Sequence, residues 1–243
     1  MTGLLYASNY MYYGYSGSYW YLLLVIPALI LSLAAQFAVK RAYSKMSEIY
    51  SKSGHSGASA AGVVLRYYGI TNVRIEQVGG KLTDHYDPRT NVIRLSEGVY
   101  GSTSIAAIGI ACHEAGHAAQ HALGYAPIRI RNTILPVCKI GSYIGIPMAI
   151  IGFFLNWEPL VLAGLMMYSF IMLFQLVTLP VEFNASRRAL QVIEETGLLP
   201  GADEYKGAKK VLTCAAMTYV ASLAVSIANL LRLIIMFTGR RRR

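Results

Sequence analysis

The stretch GIACHEAGHAAQHALGY, residues 109–125, decides how the rest of the chain is read. It sets His113, His117 and His121 at four-residue intervals on a run of small and apolar residues. That run predicts a helix over 103–123, with Ser102 or Thr103 as its N-cap and Gly124 closing it. Within it, His113-Glu114-Ala115-Gly116-His117 is an H-E-x-x-H motif. Residues four apart share a helix face, so both imidazoles can reach one Zn²⁺ at about 2.0–2.1 Å. Glu114, next to the first ligand, is placed to act as general base on a metal-activated water. Ala115 and Gly116 are small enough to let another element pack closely there.

His121 does not complete the set. Eight residues carry it about 80° around and about 12 Å along the axis from His113, too far for one metal on an unbroken helix. The longer H-E-x-x-H-x-x-G-x-x-H pattern fails too, because Gln120 and Leu123 stand at its Gly and third His positions. His121 is read as a packing residue or as a partner to a ligand. A catalytic zinc usually has three protein ligands, so one must come from elsewhere. The segment LPVEFNASRRALQVIEETG, 179–197, reads as a helix with Pro180 at its start and Gly197 at its end. Glu182 lies in its first turn and is the expected third ligand, whereas Glu194 and Glu195 belong to a solvated face.

The surroundings are those of a membrane protein. Of 243 residues, 55% are hydrophobic and only 14% charged, against about 25% charged in an ordinary globular chain. The first 39 residues carry no charge, and Trp20–Val39 is long enough to cross a hydrocarbon core of about 30 Å. Because it begins uncharged and ends at Lys40-Arg41, it reads as a retained anchor over 19–39, not a cleaved signal. Tyr6, Tyr10, Tyr12, Tyr13, Tyr15, Tyr19, Trp20 and Tyr21 form an aromatic belt at its start. Further spans are predicted over 134–155 and 159–179, joined by the short NWE turn, and over 211–238. The last contains Arg232 and precedes GRRRR, so it either crosses, re-enters or lies along the interface.

Positive charge in short loops favours the cytoplasmic side. Lys40, Arg41, Lys45 and Lys52 follow the first span, Arg129 and Arg131 precede the second, and Arg187 and Arg188 follow the third. The expected arrangement therefore has the Tyr-rich N-terminus, 1–18, outside and 40–131 and 180–210 in the cytoplasm. The net charge of +10 suits anionic lipid headgroups. No basic run interleaved with aromatics points to nucleic acid. Cys112, Cys138 and Cys214 are odd in number and include no C-x-x-C pair, which argues against a disulfide framework.

Between the first two spans, Ser56–Tyr68 reads as a small-residue helix. VRIEQV at 73–78 and NVIRLS at 91–96 alternate as strands, and Asp87-Pro88 marks a turn inside a hairpin over 81–96.

The segment LTDHYDPRTNVIRLSEGVYGSTSIAAIGIACHEAGHAAQHALGYAPIRIRN together with FQLVTLPVEFNASRRAL resembles the bacterial YugP-type membrane zinc metallopeptidase family. The resemblance runs from Tyr21 to about Arg232. More distantly, H-E-x-x-H followed by an E-x-x-A helix after membrane spans is similar to integral-membrane gluzincin proteases of the HtpX type. That likeness implies a mainly α membrane protein of about four spans, with a small α+β zincin-like domain after the first. It implies His113, His117 and Glu182 as zinc ligands and Glu114 as base. In zincin-type enzymes an edge strand beside the active-site helix pairs with the extended substrate. The hairpin would supply it, with His85 or Tyr86 as a donor to the oxyanion. One departure stands out: those proteases usually have Asp four residues after the glutamate, and here it is Ser186. Asp84, Asp87 or a backbone carbonyl is then left to orient an imidazole.

The function expected is a zinc-dependent endopeptidase acting on polypeptide at the cytoplasmic membrane face. A non-catalytic metal-stabilised scaffold or pseudoprotease is the alternative. Glu114 argues against it, since a structural site closes with four ligands and needs no base. A transporter, suggested by Lys139 and Arg232 in apolar runs, lacks internal repeats.

Overall fold

The computed structural model describes residue 19 and residues 21–238. Most of the expected aromatic belt, Trp20 included, and the terminal GRRRR lie outside the described residues. A π-helical turn, Tyr21–Val25, leads into α1, Ile26–Ser47. Then follow α2 (Gly57–Tyr67), β1 (Arg74–Val78), β2 (His85–Asp87), β3 (Val92–Ser96) and the single turn α3 (Glu97–Tyr100). The H-E-x-x-H helix is α4, Ile105–Ala122, and three long helices complete the chain: α5 (Ala126–Phe154), α6 (Glu158–Thr196) and α7 (Ala202–Thr238). Among the described residues four helices are long and apolar enough to cross a membrane.

Two compact units emerge. One comprises Ala35–Thr133 and Val177–Thr218; the other takes the chain before, between and after them. In the second unit the surface is apolar, with Leu33, Ile151 and Phe154 among many exposed large side chains. Such a surface suits lipid, not water. Helices α5 and α6 touch backbone to backbone: a Cβ on Gly164 would stand 2.6 Å from the Gly145 carbonyl oxygen. Close approach through small residues is how helices associate where lipid removes the hydrophobic drive. Val25 and Ala28 pack with Ala228, and Arg232 lies 4.9 Å over the Tyr21 ring. The last helix is unbroken from Ala202 to Thr238.

Several expected boundaries move. Helix α1 runs on through Lys40, Arg41 and Lys45. The third span and the helix carrying Glu182 are one 39-residue helix, with Pro180 inside it and not at its start. A proline removes one N–H and one hydrogen bond, which a helix held by packing on both sides tolerates. Helix α7 likewise begins at Ala202, well before the apolar run. The N-cap of α4 is Ser104, whose Oγ accepts from Ala107 N at 3.2 Å, not Ser102 or Thr103. Ser102 instead donates to the Ser104 hydroxyl at 3.1 Å.

The first unit is built around α4. Ile105, Ala106, Ala107, Ile108, Ala111, Cys112, Ala115, Ala118 and Ala119 are buried, packed against α2, the sheet and the neighbouring helices. The sheet order is β1-β3-β2, with β1 parallel and β2 antiparallel to the central β3. The expected hairpin is therefore present as β2–β3, and β2 is an edge strand. A strap over residues 49–51 crosses the start of α4, where Ile105 N donates to Ile49 O and Ser51 N to Thr103 O, both at 2.9 Å. The buried Glu204 of α7 holds that strap, accepting from Ser51 Oγ at 2.7 Å. At its far end α4 is closed by Gly124 at φ +68°, with Tyr125 N donating to Gln120 O.

Candidate metal centre

Helix α4 is buried nearly all round, and that burial has a gap. Ile110, His113 and Glu114 are partly exposed, in contrast to the buried positions from Ile105 to Gly109 and from Ala115 to Gln120. The i, i+3, i+4 spacing makes this one short window on one helix face. Opposite it runs α6. Contact between the two helices is intimate at Gly116, where an added Cβ would meet the Ala185 carbonyl oxygen at 2.7 Å. This glycine lets α6 bring Glu182 over the histidines.

Glu182 Oε2 stands 3.3 Å from His113 Nε2 and 3.6 Å from His117 Nε2. All three ligand atoms lie within 4.8 Å of one another. Tetrahedral donors about 2.0–2.1 Å from zinc stand roughly 3.3 Å apart, so the two separations from Glu182 Oε2 are close to those such an ion needs. Two imidazoles and a carboxylate are also what zinc prefers when a further position stays open. Glu182 is 3% exposed, a depth at which a lone carboxylate would be costly.

Each of the three has its remaining polar atom engaged. His113 Nδ1 is 3.1 Å from Ser186 Oγ, His117 Nδ1 is 3.0 Å from Gln120 Oε1, and Glu182 Oε1 is 3.6 Å from Arg131 Nη1. Ser186 thus reaches His113 despite replacing the expected Asp. Burial by itself pushes the Glu182 carboxyl up, but hydrogen bonds and positive charge from His113 and His117 outweigh it and hold the group far below its usual range. For His117 burial lowers the pKa, and Glu182, Glu114 and Gln120 together turn the net shift upward. The thiol of Cys112, wholly buried, is driven up by desolvation and stays protonated.

The other predicted residues lie elsewhere. Asp84 accepts from Ser96 N at 2.7 Å and from its hydroxyl, pinning the end of β3. Asp87 accepts from Arg89 N and Thr90 Oγ1 in the turn after β2. Of the expected partners for an imidazole, Asp84, Asp87 or a backbone carbonyl, the two carboxylates are thus engaged elsewhere; Ser186 and Gln120 meet the Nδ1 atoms of His113 and His117. His85 is exposed and its Nδ1 meets Thr83 O at 2.7 Å. Tyr86 donates to Asn91 Oδ1 at 2.9 Å and lies 3.1 Å from His121 Nδ1. His121, exposed, therefore ties α4 to the edge strand and is not grouped with the other two histidines. Gln120, Asn184 and Arg131 escaped sequence reading. Gln120 carried a signal in being a polar residue one turn beyond His117 on an Ala-rich helix.

Residues 21–238 match the profile of the family described as "Putative neutral zinc metallopeptidase". The chain belongs to that metallopeptidase family. It is also 43% identical over 221 residues to the "Putative membrane protease YugP" of Bacillus subtilis strain 168, covering 91% of this chain and 98% of that relative. No solved structure matches the chain. For a zinc metallopeptidase family the donor set at His113, His117 and Glu182 is chemically coherent, and the four apolar helices accord with the relative's description as a membrane protease.

Proposed function

We propose that this protein is a membrane-embedded zinc-dependent endopeptidase of the gluzincin type, hydrolysing peptide bonds at the cytoplasmic face of a bacterial membrane. The observation that carries the reading is the convergence of His113 Nε2, His117 Nε2 and Glu182 Oε2 beside a partly exposed Glu114. The two imidazoles and the Glu182 carboxylate would hold the ion. Zinc bound there supplies a Lewis acid, lowering the pKa of a water toward about 7 and polarising a carbonyl. Glu114 takes the water's proton as general base and returns it to the leaving amine. Arg131 neutralises the distal oxygen of Glu182 and keeps Oε2 turned to the histidines. The zincin-like part is 40–131 completed by 180–210. Its cytoplasmic placement is supported by Lys40, Arg41, Arg129, Arg187 and Arg188 on one side of the spans. Polypeptides near the membrane, including misfolded membrane proteins, are the substrate class. The edge strand β2 offers backbone pairing to an extended chain, with lipid surrounding the spans.

The test is zinc content and cleavage of an unfolded protein by the purified full chain. Glu114→Gln keeps zinc and loses proteolysis, whereas Glu182→Ala loses both. Proteolysis that survives Glu114→Gln overturns the mechanism, and full zinc occupancy in Glu182→Ala overturns the ligand assignment.

A further inference from the structure

Gln120 is fully buried on a helix rich in alanine. A buried amide is costly unless every strong donor and acceptor is met. Here all are. Nε2 donates to Val181 O at 2.7 Å and to Asn184 Oδ1 at 3.0 Å, and Oε1 faces His117 Nδ1 at 3.0 Å.

The orientation of this amide follows from its partners. Val181 offers a carbonyl, which can only accept. Asn184 Oδ1 is also an acceptor, since Arg188 Nε donates to it at 2.9 Å. The nitrogen of Gln120 must therefore face α6, and its oxygen must face His117. An oxygen there requires a proton on Nδ1, leaving the Nε2 lone pair as the one directed at Glu182. The same amide grips α6 on both sides of Glu182, at 181 and 184. Ser186 makes no such demand on His113, because a hydroxyl can donate or accept.

We propose that Gln120 is the positioning residue of the metal centre, selecting the metal-facing nitrogen of His117 while tying the histidine helix to the turn that carries Glu182. This rests on the reading that zinc binds at His113, His117 and Glu182.

The experiment compares zinc affinity in the detergent-purified full chain, stripped of metal and titrated against a chromophoric zinc chelator, for wild type, Gln120→Met and Gln120→Glu. Partners that orient a ligand are worth about 10–100-fold in metal affinity, and Gln120→Met loses that much. Gln120→Glu loses the bonds to Val181 O and Asn184 Oδ1 but keeps an acceptor for His117 Nδ1, and binds zinc more tightly than Gln120→Met. A packing role alone gives the opposite order, since a buried carboxylate facing a carbonyl is worse than a thioether. Equal affinity of wild type and Gln120→Met, or weaker binding by Gln120→Glu than by Gln120→Met, overturns the proposal. If thermal unfolding shows that Gln120→Met does not fold, Gln120→Glu decides alone. Zinc affinity within about tenfold of wild type then supports the proposal, and a loss as complete as that of His117→Ala overturns it. A wild type that binds zinc but cleaves nothing removes the peptidase reading and leaves this comparison to decide the role of Gln120. A wild type that binds no zinc removes both.

Discussion

Gly116 and Ala185 meet backbone to backbone, with room for hydrogen but not for carbon between them: a Cβ on Gly116 would stand 2.7 Å from the Ala185 carbonyl oxygen. Alanine in place of a helical glycine gains about 1 kcal/mol in propensity. The clash is with main chain, which no rotamer change relieves, and overpacking of this kind costs about 1–3 kcal/mol. Gly116→Ala is therefore expected to unfold at lower temperature and to bind zinc more weakly, because the helices bearing the histidines and Glu182 must part. Thermal unfolding and zinc titration of the variant check this; unchanged zinc affinity would show that the approach is dispensable.

Ser186 stands where the distant likeness to HtpX-type proteases led to the expectation of an aspartate, yet its hydroxyl is 3.1 Å from His113 Nδ1. Removing it with Ser186→Ala should weaken zinc binding by about tenfold, the lower end of the range for such partners. Ser186→Asp should bind at least as tightly as wild type, since a carboxylate is the stronger acceptor for Nδ1–H. Affinity lost in Ser186→Asp would mean that the pocket has been built around the smaller residue.

The zinc-free protein should show its own pH profile. Glu182 is depressed below its ordinary 4.5, so its contribution to stability is present above that pH and fades as acid approaches its lowered value. His117 is raised above its ordinary 6.5, so its contribution is full below that pH and fades as alkali passes the raised value. Stability of the stripped protein is expected to peak between about pH 4.5 and 6.5 and to fall toward pH 9. Zinc affinity should move the other way, rising with pH as His117 gives up its proton to the ion. Unfolding curves at stepped pH, with and without zinc, would contradict this if the stripped protein were most stable at pH 9.

Tyr86 has one hydroxyl proton and gives it to Asn91 Oδ1 at 2.9 Å, with His121 Nδ1 on the other side at 3.1 Å. A donor so engaged is not aimed at a substrate oxyanion. Tyr86→Phe is expected to lower kcat/KM by less than about tenfold, the worth of one ordinary hydrogen bond. A loss of about 10²–10³ in kcat would instead identify the hydroxyl as an oxyanion donor that turns toward substrate.

Much of this site was legible in the sequence because its information is local. The spacing of His113 and His117 is a property of one helix, and Glu182 stood out as an acid at the end of an apolar run. Element boundaries were legible only as changes of polarity. Lys40 and Pro180 mark where the chain stops being apolar, but α1 and α6 continue through them, since helix hydrogen bonds do not depend on apolarity. The parallel pairing of β1 with β3 left no trace in either strand's pattern. The partners of Gln120 and Ser186 were hidden for a different reason. Gln120 stood out only as a polar residue one turn beyond His117; its hold on Val181 and the meeting of Ser186 with His113 join residues more than sixty positions apart, and no periodicity along one helix records them.

Because α4 supplies two of the proposed ligands and α6 the third, the centre has an order of assembly. A ribosome that has made the chain only as far as α4 has made His113 and His117 but not Glu182. The intervening hairpin, two membrane-length helices, must be synthesised before Glu182 exists. The proposed centre is thus absent from the nascent chain until most of the first three membrane-length helices has been made.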